Sequence, residues 1–85
     1  MDPMQSGQVL DYEALCRETE AAVERSGKSQ SQVGRELGVS RGAVSRAVKE
    51  AGSKLASLQC RIIEHLTPYR LDEETHFRVQ DARKE

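Results

Sequence analysis

The chain has 85 residues, of which 36% are hydrophobic and 32% charged, with no tryptophan and a net charge of −1. So few apolar side chains predict one small domain with an aliphatic core. No stretch reaches the roughly 18 apolar residues of a membrane helix or resembles a secretory signal, so a cytoplasmic protein is expected. Since no nucleophile context, phosphate loop or zinc-ligand spacing occurs, we predict neither an enzyme nor a bound metal or cofactor.

The first helix is predicted to follow a flexible arm formed by residues 1–8. Asp11 is suited to cap its N-terminus, and Gly27 is suited to end it. Inward-facing residues recur between them at intervals of three and four: Tyr12, Leu15, Cys16, Thr19, Ala22, Val23 and Ser26. The glutamates and Arg17 of this segment are expected to face water.

Residues 30–49 have the pattern of two short helices joined by a turn. Gly38 lies between the two helical runs and can adopt the left-handed backbone that a change of direction needs. Apolar or small residues hold both runs against a core: Val33, Gly34, Leu37, Val39, Val44, Ala47 and Val48. This pattern predicts a helix-turn-helix.

Polar residues mark where these two helices begin and end. Ser29 and Gln32 have the spacing of a capping box at the start of the second helix. Ser40 is placed to cap the third helix, which we expect to continue to about Ala51 and to end at Gly52.

A fourth helix and a short β-hairpin are predicted in residues 53–79. The helix carries an apolar side and should stop before Pro68: Leu55, Leu58, Ile62, Ile63 and Leu66. Tyr69 and Leu71, then Phe77 and Val79, alternate with polar residues, which favours two strands. The alternative is a loop in residues 69–79, because the connection lacks the glycine typical of a hairpin. Residues 80–85 are predicted to be a disordered tail. The expected fold is therefore mostly α, with a helix-turn-helix core in residues 9–52.

Charge is distributed unevenly along the chain. Residues 1–27 contain six acidic and two basic residues, residues 28–54 contain two acidic and six basic residues, and residues 55–85 contain six acidic and five basic residues. The helix-turn-helix segment is thus the only net-basic third, which favours contact between this segment and phosphate.

With this turn and apolar pattern, residues 9–52 resemble the Cro and repressor proteins of lambdoid phages. The resemblance covers about half of the chain and implies that a recognition helix, about residues 41–51, lies in the major groove of DNA. It also implies which residues face DNA: Ser40, Arg41, Gly42, Ser45 and Arg46. Gln30 matches the position where this family often places a glutamine against phosphate.

The chemistry of these side chains leaves alternatives open. Arg41 and Arg46 are suited to contact O6 and N7 of guanine, or else to grip phosphate. Gly42 reads no base and departs from the polar residue usual in the family, although it permits close approach to the groove. Ser45 fits a base edge, a phosphate or an exposed position, and Ser40 fits an N-cap better than a DNA contact.

Further contacts to the DNA backbone are predicted beside this helix. The free amides at the start of the second helix attract an anion, and basic residues flank the third helix. The residues predicted to face the bases are Arg41, Gly42, Ser45 and Arg46, of which Gly42 only permits close approach. The predicted backbone contacts are Lys28, Ser29, Gln30, Ser31, Ser40, Lys49 and Lys54. For both Lys49 and Lys54 the alternative is a solvated surface lysine.

The apolar side of the fourth helix predicts a homodimer, because helix-turn-helix proteins bind two half-sites as two-fold dimers. The predicted contacts are Leu55, Leu58, Ile62, Leu66, Tyr69 and Phe77. The alternative is that the core of one chain uses the whole stripe. Taken together, these features predict a small transcriptional repressor on a palindromic operator, with no small-molecule ligand. The other possibilities are a protein-interaction module or an accessory factor of a DNA-recombination or toxin–antitoxin system.

Overall fold

The computed structural model describes residues 9–73 and 77–81. The fold is mostly α, as predicted, and its elements in chain order are β1 (Val9–Leu10), α1 (Tyr12–Ser26), α2 (Gln30–Leu37), α3 (Arg41–Ala47), α4 (Ser53–Leu66), β2 (Tyr69–Glu73) and β3 (Phe77–Asp81). Within the described residues, no helix combines the length and apolar character needed to cross a membrane. The predicted N-terminal arm, the acidic hairpin loop at residues 74–75 and the end of the tail lie outside the described residues.

The predicted caps and turn glycines are confirmed. The side chains of Asp11, Ser29 and Ser40 each accept a hydrogen bond from the backbone N–H three residues further on, at 2.8 Å for Asp11 and 3.0 Å for the two serines. Gly27 ends α1 and Gly38 ends α2 with left-handed backbone, at φ values of 73° and 76°. Local chemistry alone therefore determines the start of three helices and the end of two.

The cap of α2 differs from the predicted capping box in one respect. Ser29 accepts from the backbone N–H of Gln32, but the Gln32 side chain donates to Glu36 at 3.3 Å. The carboxylate one turn along the helix is a charged acceptor, and a hydrogen bond to it is stronger than one to a neutral group.

The third helix is shorter than predicted, since α3 ends at Ala47 and not near Ala51. The backbone carbonyls of Ala47 and Glu50 both accept hydrogen bonds from the side chain of Gln59 on α4, which fixes a turn in place of further helix. Gly52 consequently precedes α4 as its N-cap and does not end α3.

The inward-facing residues of α1 are buried as predicted from Leu15 to Val23. Two other residues of this helix differ from the prediction. Tyr12, predicted to face inward, is 44% exposed, since a tyrosine in the first turn can rest its ring on the surface and keep its hydroxyl near water. Glu18, predicted to face water, is half-buried.

The C-terminal hairpin is confirmed and belongs to a three-stranded antiparallel sheet of order β1-β3-β2. Leu71 pairs with Val79 between β2 and β3, and Leu10 pairs with Phe77 between β1 and β3. The sequence analysis did not predict β1, a strand of two residues. Strand β3 continues to Asp81, two residues into the segment predicted as a disordered tail.

Two aliphatic clusters form the core, and α4 contributes to both. The first joins α1, α4 and the sheet through Leu10, Leu15, Ala22, Ala56, Ile63 and Val79. The second joins α2 and α3 to α1 and α4 through Val23, Val33, Val44, Ala47, Val48 and Ile62. Helix α4 therefore lies between the sheet and the segment that was predicted to bind DNA.

Candidate nucleic-acid interface

The turn between α2 and α3 depends on the absence of a side chain at Gly34. A Cβ at this position would lie 2.7 Å from the carbonyl oxygen of Val39, a distance that real Cβ atoms essentially never show. The Val39 N–H donates to the Gly34 carbonyl at 2.9 Å, and Gly38 supplies the positive φ between them. We call residues 30–47 the α2–turn–α3 unit, and its two helices are held in close contact by these three residues.

Helix α3 has one buried and one exposed side. Val44 and Ala47 are 0% exposed and belong to the second core cluster. The predicted base-reading residues lie elsewhere on the helix, where Arg41, Gly42 and Arg46 are exposed and Ser45 is half-buried. The arrangement presents two guanidinium groups on the outside of a helix whose other side is fixed.

The two arginines differ in their surroundings. Arg46 Nε lies 3.7 Å from Glu50 Oε2, and both side chains are more than half exposed, so this ion pair is weak. Within residues 9–73 and 77–81, Arg41 has no ion-pair partner. Arg41 is therefore available to a ligand directly, whereas Arg46 must exchange one carboxylate for another acceptor.

The predicted backbone contacts fall into three groups. Ser29 and Ser40 use their hydroxyl groups as helix caps, while Gln30 and Ser31 are half-buried in the first turn of α2. Lys28 is paired with Glu36 at 2.8 Å. Lys49 and Lys54 are exposed and have no ion-pair partner in the part of the chain that the structure describes. These last two lysines are the cations most accessible to phosphate.

A cleft of about 270 Å³ separates the end of α3 from the start of α4. Its lining includes Arg46, Glu50, Ser53 and Lys54. Arg46, a predicted base contact, and Lys54, a predicted backbone contact, therefore line the same cleft, together with Glu50.

Glu36 connects α2 to two other parts of the chain. Its carboxylate accepts hydrogen bonds from Lys28 Nζ at 2.8 Å and from His65 Nε2 on α4 at 2.6 Å. The Lys28 and His65 hydrogen bonds lower the pKa of Glu36 to about 2, so it is ionised at neutral pH. Sequence reasoning missed this contact, because 29 residues separate Glu36 from His65 and no local pattern relates them.

Two further side chains of α4 bind the ends of the helices in the α2–turn–α3 unit. Gln59 Nε2 donates to the carbonyl oxygens of Ala47 at 2.7 Å and Glu50 at 2.8 Å. Arg61 Nη2 donates to the carbonyl oxygen of Leu37 at 2.8 Å. One signal for Gln59 was present in the sequence, since it is a polar residue beside Leu58 on the apolar side of the helix.

Most of the predicted dimer stripe is used within the chain. Ile62 is 0% exposed in the second core cluster, so its predicted contact with a second copy is corrected. Leu58 and Leu66 are half-buried against the same cluster, and Leu55 is half-buried at the cleft. The aliphatic residues of α4 are buried or half-buried because α4 packs against both core clusters.

The outer edge of the sheet is also occupied where β2 begins. Tyr69, a predicted dimer contact, is half-buried against the first cluster, and its N–H donates to Thr67 Oγ1 at 3.2 Å. The Leu71 N–H donates to the Glu64 carboxylate at 3.0 Å. Side chains thus take up backbone donors that another strand would need. The side chain of Phe77, the remaining predicted contact, lies outside what the structure describes.

Comparison of the chain with protein families, with curated proteins and with solved structures finds no match. What the molecule binds must therefore be inferred from the site itself. Its geometry combines a tightly closed turn, a helix with two outward-facing arginines, an exposed lysine in the turn after this helix, and a second exposed lysine at the α3–α4 cleft.

Proposed function

We propose that this protein is a small cytoplasmic transcriptional repressor of the Cro type that binds double-stranded DNA. In this proposal α3 (Arg41–Ala47) enters the major groove, which is wide enough to admit a helix and displays a different pattern for each base pair. Arg41 and Arg46 read guanine, Gly42 lets the backbone approach, and Ser45 contacts the groove or a phosphate.

The observation that carries the proposal is the contrast between the two sides of α3. Val44 and Ala47 fix the helix to the core, while Arg41 and Arg46 extend from it into solvent. A guanidinium group presents a rigid fork of donors that matches guanine or phosphate acceptors. Lys49 and Lys54 are exposed, and in this proposal they contact phosphates beyond the helix. A helix that is fixed on one side and carries exposed cations on the other suits a polyanion with a groove, such as double-stranded DNA.

Salt-dependent binding to DNA tests the proposal. The protein is titrated into a fluorescent duplex pool at several salt concentrations, and the affinity is expected to fall with a log–log slope of about −0.9 for each phosphate contacted. Absence of binding at low salt would refute the DNA-binding function. Selection of bound duplexes from a random pool then identifies the preferred sequence.

Single substitutions separate base reading from phosphate contact. Arg41→Ala and Arg46→Ala are each expected to remove about 1–3 kcal/mol of discrimination between the preferred sequence and a changed base pair. Lys49→Ala should weaken all sequences alike and reduce the salt slope by about one contact. Arg17→Ala, an exposed cation on α1, is the matched control and should change neither property.

The same selection decides the number of copies that bind. A palindromic operator is part of the proposal, and two copies on it would meet without Ile62, which is fully buried, and could use half-buried residues such as Leu55. A palindromic consensus with half-sites about one helical turn apart supports the dimer. A single half-site, together with a monomeric mass in solution, contradicts the dimer and leaves the DNA-binding function intact.

A further inference from the structure

The backbone after α3 is fastened to α4 by one side chain. Gln59 is 0% exposed, and its amide nitrogen donates to Ala47 O at 2.7 Å and to Glu50 O at 2.8 Å. A primary amide has two N–H donors, so both can be used here. The two acceptors stand at the ends of residues 47–50, the turn that follows α3.

This turn connects two of the proposed DNA contacts to the rest of the molecule. Arg46 immediately precedes Ala47, and Lys49 lies between the two carbonyls that Gln59 binds. Helix α3 has only seven residues. The turn after it is closed at the Arg46 carbonyl by the N–H groups of Lys49 and Glu50, and the Gln59 side chain binds the carbonyls of Ala47 and Glu50. The position of both cations therefore depends on how the backbone is held at these carbonyls.

On the basis of the proposed function, we infer that Gln59 is a positioning residue for DNA recognition, which acts through the backbone carbonyls of Ala47 and Glu50. Gln59 is buried and does not itself reach a ligand. It fixes the C-terminal end of α3, and thereby the directions from which Arg46 and Lys49 approach DNA. Arg41, at the other end of the helix, is held instead by the Ser40 cap and the Gly34 contact.

Replacement of the amide by a group of similar length tests this role. Gln59→Met removes both donors but keeps an unbranched side chain, and Gln59→Glu keeps the size but supplies acceptors only at neutral pH. The matched control is Ile63→Val, which trims the first core cluster and leaves α3 untouched. All variants are made in the full chain and measured well below their unfolding temperatures.

We expect Gln59→Met to weaken binding to the preferred duplex by about tenfold relative to Ile63→Val. A double-mutant cycle supplies a readout that loss of stability alone would not move. The effect of Gln59→Met should be much smaller in an Arg46→Ala background, because Arg46 no longer needs positioning, and unchanged in an Arg41→Ala background. Equal effects in both backgrounds, or binding equal to that of Ile63→Val, would overturn the inference.

Hydrogen exchange separates this inference from the proposed function. The amides of Lys49 and Glu50 donate to Arg46 O at 3.1 and 2.9 Å, and their exchange should accelerate in Gln59→Met and Gln59→Glu but not in Ile63→Val. Unchanged exchange would show that Gln59 does not hold the turn. If the unmodified protein binds no duplex, the proposed function fails and the role in recognition fails with it, while accelerated exchange would still establish the backbone contact.

Discussion

The two arginines of α3 and two polar side chains of α4 are used in opposite ways. Arg41 and Arg46 are exposed, and the one ion pair that they form within the described residues is the long contact between Arg46 and Glu50. On α4, by contrast, Gln59 and Arg61 bind backbone carbonyls of the preceding helices. Arg41 and Arg46 are left for a ligand, whereas Gln59 and Arg61 hold the ends of the two preceding helices in place.

The apolar residues show the same division. The α2–turn–α3 unit supplies side chains to one core cluster, whereas α4 supplies Ile62 to that cluster and Ile63 to the other. A helix that packs on two sides has few apolar residues left to offer a partner. This comparison suggests that α4 primarily supports the helix pair, and that a contact between copies would be secondary.

The largest expected effect on stability is that of truncating Ile62, the α4 residue that packs in the second core cluster with residues of α2 and α3. Ile62→Ala leaves a cavity beneath α2 and α3, so we expect the free energy of unfolding to fall by about 2–5 kcal/mol, measured by urea denaturation. Leu55→Ala is the control, since Leu55 is half-buried and lies outside both core clusters. A small loss for Ile62→Ala would contradict the supporting role of α4.

Leu55→Ala also addresses the predicted dimer. If the unmodified protein is dimeric in solution and Leu55→Ala makes it monomeric, the half-buried end of the stripe has a second role as an interface. If both proteins are monomeric with and without DNA, the apolar side of α4 serves the core of a single chain.

Features that depend on residues close together in the chain could be predicted from the sequence, whereas features that depend on distant residues could not. Asp11, Ser29 and Ser40 cap helices through hydrogen bonds to residues three positions away, and the sequence analysis identified all three. The end of α3 was predicted about four residues too late, because Gln59 lies twelve residues beyond Ala47. Short-range chemistry is visible in a sequence, whereas a long-range contact is not.

The same limit applies to the sheet and to the proposed interface. A strand of two residues, β1, has no alternation to detect and exists because Leu10 pairs with Phe77 of a strand far along the chain. The α4 stripe was correctly identified as apolar, but periodicity does not say whether its own chain covers it. Burial of Ile62 required the three-dimensional structure, as did the pairing of Lys28 with Glu36.

A smaller loss of stability is expected from a substitution that fills the space between α2 and the turn that precedes α3. Gly34→Ala places a Cβ 2.7 Å from Val39 O, and overpacking of this kind costs about 1–3 kcal/mol. Gly42→Ala is the matched control, because its Cβ would approach only Ser40 Oγ, at 3.9 Å. Since alanine favours a helix over glycine, Gly42→Ala should stabilise the protein by about 0.5–1 kcal/mol.

Thermal unfolding compares the stability of Gly34→Ala and Gly42→Ala directly. Their affinity for DNA tests in addition whether Gly42 allows close approach to the groove. If Gly42 serves close approach to the groove, Gly42→Ala will bind more weakly although it is more stable. Equal or tighter binding would show that the groove tolerates a methyl group at this position. A Gly34→Ala variant as stable as the unmodified protein would contradict the close packing of α2 on the turn.

The last comparison concerns pH and the contact between α2 and α4. The hydrogen bonds from Lys28 and His65 lower the pKa of Glu36 from 4.5 to about 2, whereas burial raises the pKa of Glu18 on α1. A lowered carboxyl pKa means that the folded state gains stability from the ionised form. The Glu36 contribution is therefore complete above about pH 4.5 and is lost as the pH falls towards 2.

Glu36→Gln should accordingly destabilise the protein at pH 7 and have progressively less effect below pH 4.5, as measured by urea denaturation at a series of pH values. Glu18→Gln is expected to act in the opposite direction. Its ionised form is disfavoured by burial, so removal of the charge should stabilise the fold at pH 7 and change little in acid. Opposite pH trends for two substitutions of the same chemistry cannot arise from a change in net charge, which both share. If the effect of Glu36→Gln does not decline below pH 4.5, the Glu36 contact does not join α2 to α4 in solution, and Arg61, which donates to the Leu37 carbonyl at the end of α2, makes this connection without it.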